Sequence, residues 1–341
     1  MIKQKVRLQE LAFRTQYAEL KERVLAEGKL LAGTPGSLKL REKSGYPHWY
    51  RCYYSVPGKP KEEHVGADHE QSALHAMQQK MEFSAWVERQ VRSLRQLGFQ
   101  VADKETARVL VELHNRGLFS GGLVLVGTLA YMAWLNELGI ISASARTHDV
   151  DLARARTLKL ALPLSFLETL RNTDLPFVPV PALDPRQPST SVKLPGAQAL
   201  RIDVLAPGRP IGAPIPIPEI EWSAQAVPHF DYLLAEAVPA AALAGGHCIP
   251  VRLPGAGRFV WHKLYSSSVR TGFPEKAAKD MQQATVLADA LAAHEPVELL
   301  SSWNEAPAEI KDKASYRLAL LCQQSALPDN LQAMLREAAI L

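Results

Sequence analysis

The residues T-H-D-V-D-L at positions 147–152 carry the pattern on which the interpretation of the whole chain depends. Asp149 and Asp151 are two positions apart, and on a β-strand such residues project from one face while Val150 and Leu152 pack behind them. Two carboxylates on one face repel each other unless a cation joins them, and oxygen ligands suit Mg²⁺ or Mn²⁺ better than zinc. A D-x-D pair is also common by chance, so an exposed pair on a strand or loop is the alternative.

A second element precedes this pair in the stretch L-V-L-V-G-T at positions 123–128. The pattern predicts a short buried strand, a sharp turn at Gly127 and Thr128, and a helix over residues 129–138. Glycine lets the backbone approach a ligand closely, and a threonine hydroxyl beside a helix N-terminus suits a phosphate group. A glycine turn with a threonine helix cap is the simpler alternative.

The third element is Asp203, which lies in the apolar stretch L-R-I-D-V-L at positions 200–205. A carboxylate in the middle of an apolar strand is costly to bury without a partner, and sharing a metal with Asp149 and Asp151 would supply one. A strand residue that faces the surface is the alternative. The three elements together, in this order, are far less expected by chance than any one of them.

A Gly-Thr pair before a helix, a D-x-D strand and a later third aspartate resemble the signature of the DNA polymerase beta-like nucleotidyltransferase superfamily. A closer resemblance, over about residues 120–295, is to a bacterial family of minimal nucleotidyltransferase-fold proteins. It includes F-D-Y-L-L at positions 230–234 and R-F-V-W-H-K-L at positions 258–264. The chain departs from the superfamily in one respect, because Thr128 stands where serine is more usual, although the hydroxyl is kept.

The resemblance implies a role for each matching residue. Asp149, Asp151 and Asp203 would be catalytic and would hold Mg²⁺ or Mn²⁺, with Asp203 also accepting the proton of the incoming hydroxyl. The residues implied in binding the nucleoside triphosphate are Gly127, Thr128, Lys263, Arg270, Lys276 and Lys279. For each cation taken singly, a solvent-facing position on an amphipathic helix is an equally good interpretation. His148 has no role that follows from the sequence, and His262 is interpreted as a structural residue.

The predicted fold is α+β, with a mixed nucleotidyltransferase sheet, a helical C-terminal half and an N-terminal helix–β-hairpin–helix extension. The predicted domains are residues 1–117, 118–256 and 257–341. Helices are expected over about residues 4–28, 69–97, 104–116, 258–269, 275–294, 308–324 and 328–340. Residues 176–218 contain eleven prolines, which predicts loops around the sheet with short strands at 177–180 and 200–205.

The N-terminal segment is basic and rich in aromatic residues. Residues 1–61 contain thirteen Lys or Arg against five Asp or Glu. Cations interleave with tyrosines and Trp49 between positions 39 and 61, around a turn expected at Pro57-Gly58. Cations for phosphates and rings for stacking are what an RNA-binding surface needs, so RNA or tRNA is a candidate partner. A small sheet whose aromatic residues pack on the adjacent helices is the slightly favoured alternative.

The composition narrows the class of protein further. The 341 residues are 47% hydrophobic and 22% charged, which favours a folded chain. Three scattered cysteines and no apolar run long enough to span a bilayer predict a cytoplasmic protein without a membrane anchor. The predicted activity is transfer of a nucleoside monophosphate from a nucleoside triphosphate to a hydroxyl of RNA, protein or a small molecule. The alternatives are a toxin-like enzyme of a defence or toxin–antitoxin pair and a non-catalytic nucleotide-binding scaffold.

Overall fold

The computed structural model describes residues 7–56, 58–143, 147–196 and 199–341. These residues form helices around a mixed β-sheet, so the predicted α+β class is confirmed. Pro57, half of an expected turn, and residues 4–6, the start of an expected helix, lie outside the described residues. Within the described part of the chain, no helix combines the length and the apolar character needed to cross a membrane.

The elements are numbered in chain order. The strands are β1 (Arg7–Leu8), β2 (Ser37–Lys43), β3 (Tyr46–Val56), β4 (Lys59–Ala67), β5 (Leu123–Val126), β6 (Ile140–Ile141), β7 (Asp149–Arg154), β8 (Val178–Pro179), β9 (Ser191–Lys193), β10 (Arg201–Pro207), β11 (Pro214–Ile217), β12 (Trp222–Val227), β13 (Ala237–Ala244) and β14 (His247–Pro254). The helices are α1 (Leu11–Ala26), α2 (Gln71–Gln96), α3 (Lys104–Asn115), α4 (Gly127–Glu137), α5 (Phe166–Arg171), α6 (Phe230–Leu233), α7 (Ala256–Val269), α8 (Pro274–His294), α9 (Pro296–Asn304), α10 (Ala308–Gln323) and α11 (Asp329–Glu337).

The central sheet runs in the order β11-β12-β10-β7-β5, with β9 also paired to β10 and β8 paired to β9. β10 is parallel to both β7 and β12, whereas β5 runs antiparallel to β7. All four residues of β5 are buried, as expected of a strand covered on both faces. The sheet therefore places the C-terminal end of β5 beside the N-terminal halves of β7 and β10. All three strands were predicted from the sequence.

The C-terminal half is helical, as the sequence predicts, and α7 is its centre. Trp261 and Phe259 on α7 are almost fully buried, and α8, α9 and α10 all pack against this helix. The helix α9 is not predicted from the sequence. Pro296 is at its first turn and interrupts the pattern after α8, but proline is well tolerated at that position of a new helix.

The N-terminal residues differ from the predicted boundaries. The first helix begins at Leu11 rather than near residue 4, because Arg7 and Leu8 pair with Ile141 and Ile140 as an edge strand. The strands β2, β3 and β4 form an antiparallel sheet in chain order, and α2 follows them.

The hairpin of β13 and β14 was not predicted from the sequence. It turns at Gly245 and Gly246, which both have positive φ. Its buried face, which includes Leu243 and Cys248, packs with Leu20 of α1 in a second apolar cluster. The hairpin thus joins the N-terminal helices to the rest of the core.

Candidate active site

Three aspartates lie on one face of the central sheet, in the N-terminal halves of β7 and β10. β7 and β10 pair with Asp151 opposite Asp203 and Asp149 opposite Arg201. Residues directly opposite each other on paired strands project from the same face, as do residues two apart on one strand. Asp149, Asp151 and Asp203 therefore share a face, and all three are partly exposed. The structure brings together the three carboxylates that the sequence singles out.

The electrostatics of Asp151 mark this edge as a concentration of negative charge. Burial, followed by repulsion from Asp203 and to a smaller extent from Asp149, raises the pKa of Asp151 to about 7. Lys263 and Arg270 lower the pKa of Asp151, but their effect is smaller than the combined effect of burial and repulsion. A carboxyl group that is about half protonated at neutral pH can gain a favourable charge interaction from an added cation.

Gly127 lies directly against this carboxylate. The helix α4 begins at Gly127, immediately after β5, so the predicted separate turn and later helix start at residue 129 are wrong. Val126 pairs with Asp151, and a Cβ built on Gly127 would overlap the Asp151 carboxylate and lie 2.7 Å from its Cγ. Gly127 also has a φ of 67°, which disfavours other residues. Glycine is therefore needed for Asp151 to occupy its position.

Thr128 lies in the first turn of α4, next to Gly127, and is buried. The first turn of a helix carries backbone N–H groups without intrahelical partners, and these attract anions. The expected phosphate-binding pair is thus located beside Asp151.

Asp203 has close partners within the protein. Its Oδ1 accepts a hydrogen bond from the Ser191 hydroxyl and one of 2.9 Å from Arg201 Nε, which is also 3.1 Å from Oδ2. Arg201 Nη2 in turn donates to the Ser191 hydroxyl at 2.8 Å. A cation on the carboxylate face therefore already neutralises the third aspartate, although the Arg201 side chain is 42% exposed and its ion pair is screened by water.

Two of the expected cations are fixed by a buried acid. Lys263 on α7 donates to Asp280 Oδ1 at 2.5 Å, and Arg270 Nη1 lies 3.0 Å from Asp280 Oδ2. The side chains of Lys263 and Asp280 are only 11% and 4% exposed, whereas that of Arg270 is 44% exposed. Asp280 on α8 holds both cations near Asp151, on whose pKa both act.

Lys279 is a third expected cation whose pKa the carboxylates affect. It lies on α8 and is partly buried. Burial and the neighbouring Lys263 lower the pKa of Lys279, and Asp149, Asp280 and Asp151 oppose that shift. A partly desolvated ammonium group beside two carboxylates is suited to bind a substrate anion that enters between them.

The remaining residues considered from the sequence have other contacts. Lys276 is exposed, with its ammonium group 5.8 Å from the Phe273 ring centroid, and pairs with no acid that the structure describes. His148 is exposed, and its carbonyl accepts a hydrogen bond from Arg201 N. His262 is buried against Phe230, and burial lowers the pKa of His262 to about 4, as expected of a neutral core histidine.

The donor set fits a hard divalent cation that is completed by a ligand. No group of three or more His, Cys, Asp or Glu side chains converges as a metal cage among the described residues. Mg²⁺ in phosphoryl-transfer sites is commonly held by one or two carboxylates together with substrate phosphates. Asp149 and Asp151 supply such a pair. Burial, and then repulsion from Asp203, raises the pKa of Asp151, and a bound cation would offset this destabilisation of its anion.

Three residues of the site were not identified from the sequence. Arg201 is two positions before Asp203, so the strand period places both on one face and could have revealed it. Asp280 directly follows Lys279, but its burial depends on how α8 packs against α7. Ser191 reaches Asp203 because β9 pairs with β10, and no local pattern among the prolines of residues 176–218 predicts that pairing.

Comparison with known proteins adds one finding to this geometry. A family model described as nucleotidyltransferase matches residues 104–308, which is more than half of the chain. The match begins at the start of α3 and ends at the start of α10, so it includes every aspartate and cation described above. No curated protein and no solved structure matches the chain.

Proposed function

Because the chain belongs to the nucleotidyltransferase family, we propose that it transfers a nucleoside monophosphate from a nucleoside triphosphate to an acceptor hydroxyl and releases pyrophosphate. The acceptor belongs to RNA, a protein or a small molecule. The arrangement of a Gly-Thr helix start, a D-x-D strand and a third aspartate supports a site of the DNA polymerase beta-like kind.

One observation carries this proposal, namely the register that sets Asp151 opposite Asp203 with Asp149 on the same face. Burial and carboxylate repulsion raise the pKa of Asp151 to about 7, so the folded protein keeps a site that is unfavourable without a bound cation. Strongly perturbed acids on a partly exposed edge are a common property of catalytic sites. The overlap of Gly127 with this carboxylate supports the same assignment.

Mg²⁺ or Mn²⁺ would be held by Asp149 and Asp151, with Asp203 as a third ligand, and when bound would neutralise charge on the triphosphate. The N–H groups of the first turn of α4 and the Thr128 hydroxyl are donors available to phosphate oxygens. Lys279, on whose pKa Asp149 and Asp151 act, would bind the triphosphate. Lys263 and Arg270, fixed by Asp280, add positive charge around it.

In the reaction, the oxygen of the acceptor hydroxyl forms a bond to the α-phosphorus. The bond between the α-phosphorus and the oxygen that bridges it to the β-phosphorus breaks. Pyrophosphate leaves with the electron pair, and the hydroxyl proton passes to Asp203. Oδ2 of Asp203 has only the longer contact of 3.1 Å to Arg201, so this oxygen retains lone pairs for an incoming hydroxyl. Positioning and charge neutralisation account for most of the catalysis in such transfers.

The experiment is to incubate the purified protein with each nucleoside triphosphate, Mg²⁺ or Mn²⁺, and RNA, protein or small-molecule acceptors, and to measure pyrophosphate release. Asp149→Asn is expected to reduce release about 100-fold or more, whereas Asp312→Asn, on the exposed surface, leaves it unchanged. Equal release by Asp149→Asn and the wild type would contradict the mechanism. Tight triphosphate binding with no release for any acceptor would favour a non-catalytic binding scaffold instead.

A further inference from the structure

The sheet of β2, β3 and β4 has one face that the folded core does not use. We call it the aromatic face, and its residues include Lys39, Arg41, Lys43, Tyr46, His48, Tyr50, Cys52, Tyr54, Glu62 and His64. It lies outside the segment that matches the family model. It also contains three of the six cations and three of the five tyrosine and tryptophan residues between positions 39 and 61.

The strand register places these side chains together. Tyr50 on the middle strand is opposite Lys39 on one side and His64 on the other, and His48 is opposite Arg41. The rings are in contact, because the His64 centroid lies 5.2 Å from that of Tyr50 and 5.1 Å from that of His48. Along β3 the aromatic face thus carries Tyr46, His48 and Tyr50 opposite the cations of β2, and Cys52 separates these rings from Tyr54.

The opposite face of the sheet makes the packing contacts. Arg51 is 1% exposed and donates to the carbonyls of Ala32, Thr34 and Pro35, and Trp49 donates to Asp68 at 2.8 Å. The sequence left open whether all the aromatic residues form a small core. The structure assigns packing to the face of Arg51 and leaves the aromatic face to solvent.

The exposure and charge of the aromatic face indicate a ligand. Tyr46 is 70% and Tyr54 is 50% exposed, and both share this face with the cations of β2. Lys39 and Lys43 are exposed and pair with no acid among the described residues, whereas Arg41 pairs with Glu62. Two lysines without counter-ions favour an anionic partner, and exposed rings favour one with flat groups that stack.

We propose that the aromatic face binds single-stranded RNA. Side chains two residues apart on β3 repeat about every 7 Å, so successive bases of an extended strand can stack on successive rings while the β2 lysines contact phosphates. Sheets with exposed aromatic residues bind single-stranded RNA in this manner, whereas duplexes expose no base faces. The choice of RNA over DNA rests on the proposed function, because RNA carries a hydroxyl acceptor on every sugar.

The sheet is attached to the part of the chain that carries the carboxylates. Ser55 donates to Asp174 at 2.8 Å, and Lys61 pairs with the same carboxylate at 2.5 Å. Asp174 follows α5, and the chain then continues through β8 to β9. β9 pairs with β10 at Asp203. RNA bound to the aromatic face would therefore be held on the same folded unit as the proposed active site.

The test is fluorescence anisotropy of the full chain with a fluorescein-labelled 12-nucleotide single-stranded RNA. Tyr46→Ala with Tyr54→Ala is expected to weaken binding about 10-fold or more. Lys39→Gln with Lys43→Gln is expected to lower the slope of log affinity against log salt by about 1.4. Lys313→Gln with Tyr316→Ala, an exposed cation and a 60% exposed ring on α10, is the matched control and should change neither quantity.

Loss of binding in the control equal to that in the paired variants would overturn the proposal, as would wild-type protein that does not bind the RNA. Preferential binding of DNA or of duplex RNA would also overturn it. Asp151→Asn separates this inference from the proposed function. RNA binding that persists in this variant while transfer is lost supports both, and RNA binding by a wild type that transfers nothing supports the aromatic face alone.

Discussion

At the scale of single residues, Gly127 is the position where the backbone and the chemistry are most tightly linked. Gly127→Ala is expected to push Asp151 out of place, because the added Cβ would overlap its carboxylate. Because alanine is strained at this positive φ, the substitution also lowers the free energy of unfolding by about 1–2 kcal/mol. We expect nucleotidyl transfer to fall about 100-fold or more, which steady-state kinetics would measure.

Gly212→Ala separates strain from collision. Gly212 has a φ of 85°, but the nearest atom to its added Cβ is 3.9 Å away. This control should lose a similar amount of stability and keep its activity. Equal losses of activity in the two variants would show that backbone strain, and not displacement of Asp151, explains the effect.

Asp151 should also make stability depend on pH. Its pKa rises from 3.8 in the unfolded chain to about 7 in the folded protein. The folded state thus holds this proton more tightly, so the stability present below about pH 4 is lost progressively as the pH rises to 7. Asp151→Asn removes this cost, and we expect its Tm at pH 8 to exceed that of the wild type by on the order of 2 °C.

The difference in Tm should shrink toward zero as the pH falls to about 4, where wild-type Asp151 is protonated. Calorimetry across this range measures it, with Asp312→Asn as the surface control. An Asp151→Asn variant that is less stable than the wild type at pH 8 would contradict the proposed repulsion among the carboxylates.

The sequence predicts residues well where one strand period carries the information. Asp149 and Asp151 could be placed on one face from their spacing alone, and the structure agrees. Arg201 obeys the same rule with Asp203 but was overlooked, since an arginine in a strand suggests no chemistry by itself. Ser191 could not be found, because its contact arises from pairing between β9 and β10.

At the scale of secondary-structure elements, the link between α7 and α8 depends on Asp280. Asp280→Asn would leave Lys263, with an 11% exposed side chain, without its counter-ion. Breaking a buried pair in this way costs about 3–5 kcal/mol of unfolding free energy. Lys263→Met combined with Asp280→Asn should recover most of that loss, since no buried charge then remains unpaired.

Urea denaturation of the two single variants and the double variant measures the coupling between Lys263 and Asp280. We expect a coupling of about 2 kcal/mol or more. Additive losses would mean that α7 and α8 are held together by their apolar contacts alone. Arg270 is not substituted in any of these variants. Its side chain is partly exposed, so it can be solvated by water when Asp280 is replaced.

The boundaries of elements followed from the sequence where tertiary contacts did not intervene. α3 and α8 lie within a residue or two of their predicted limits. The hairpin of β13 and β14 was not predicted, since a strand rich in alanine carries little strand propensity. Its formation depends on α1 and β5 packing against it.

At the scale of the whole molecule, the N-terminal residues are part of the same folded unit as the family segment. Glu137 on α4 accepts hydrogen bonds from Tyr17, from Lys21 at 2.5 Å and from the backbone of Ala241. Removal of residues 1–103 would expose the apolar face of β13 and β14 that α1 and α2 cover. We expect the truncated chain to aggregate or to lose cooperative unfolding in calorimetry.

Replacement of residues 37–67 alone by a flexible Gly-Ser linker is the matched deletion. It removes the sheet with the aromatic face but keeps α1 and α2, so cooperative unfolding should persist. Cooperative unfolding of the chain without residues 1–103, at the wild-type Tm, would show that the family segment folds independently.

Fold class and the three carboxylates could be predicted from the sequence because local strand periods and a specific order of motifs encode them. The hydrogen bonds that connect Tyr17 of α1 with Glu137 and with Ala241 of β13 join residues more than 100 positions apart. No local sequence pattern predicts such contacts. For the same reason, the two faces of the β2–β4 sheet could be distinguished only once its register was known.

The most direct measurement of the central claim compares nucleoside triphosphates labelled with ³²P at the α or at the γ position, with Mg²⁺ or Mn²⁺ and total RNA as acceptor. We expect label to move to an acceptor from the α-labelled substrate only, and Asp149→Asn and Asp151→Asn to abolish this transfer. Absence of α-label transfer to RNA, to protein or to small molecules, or transfer that persists in both variants, would contradict this claim.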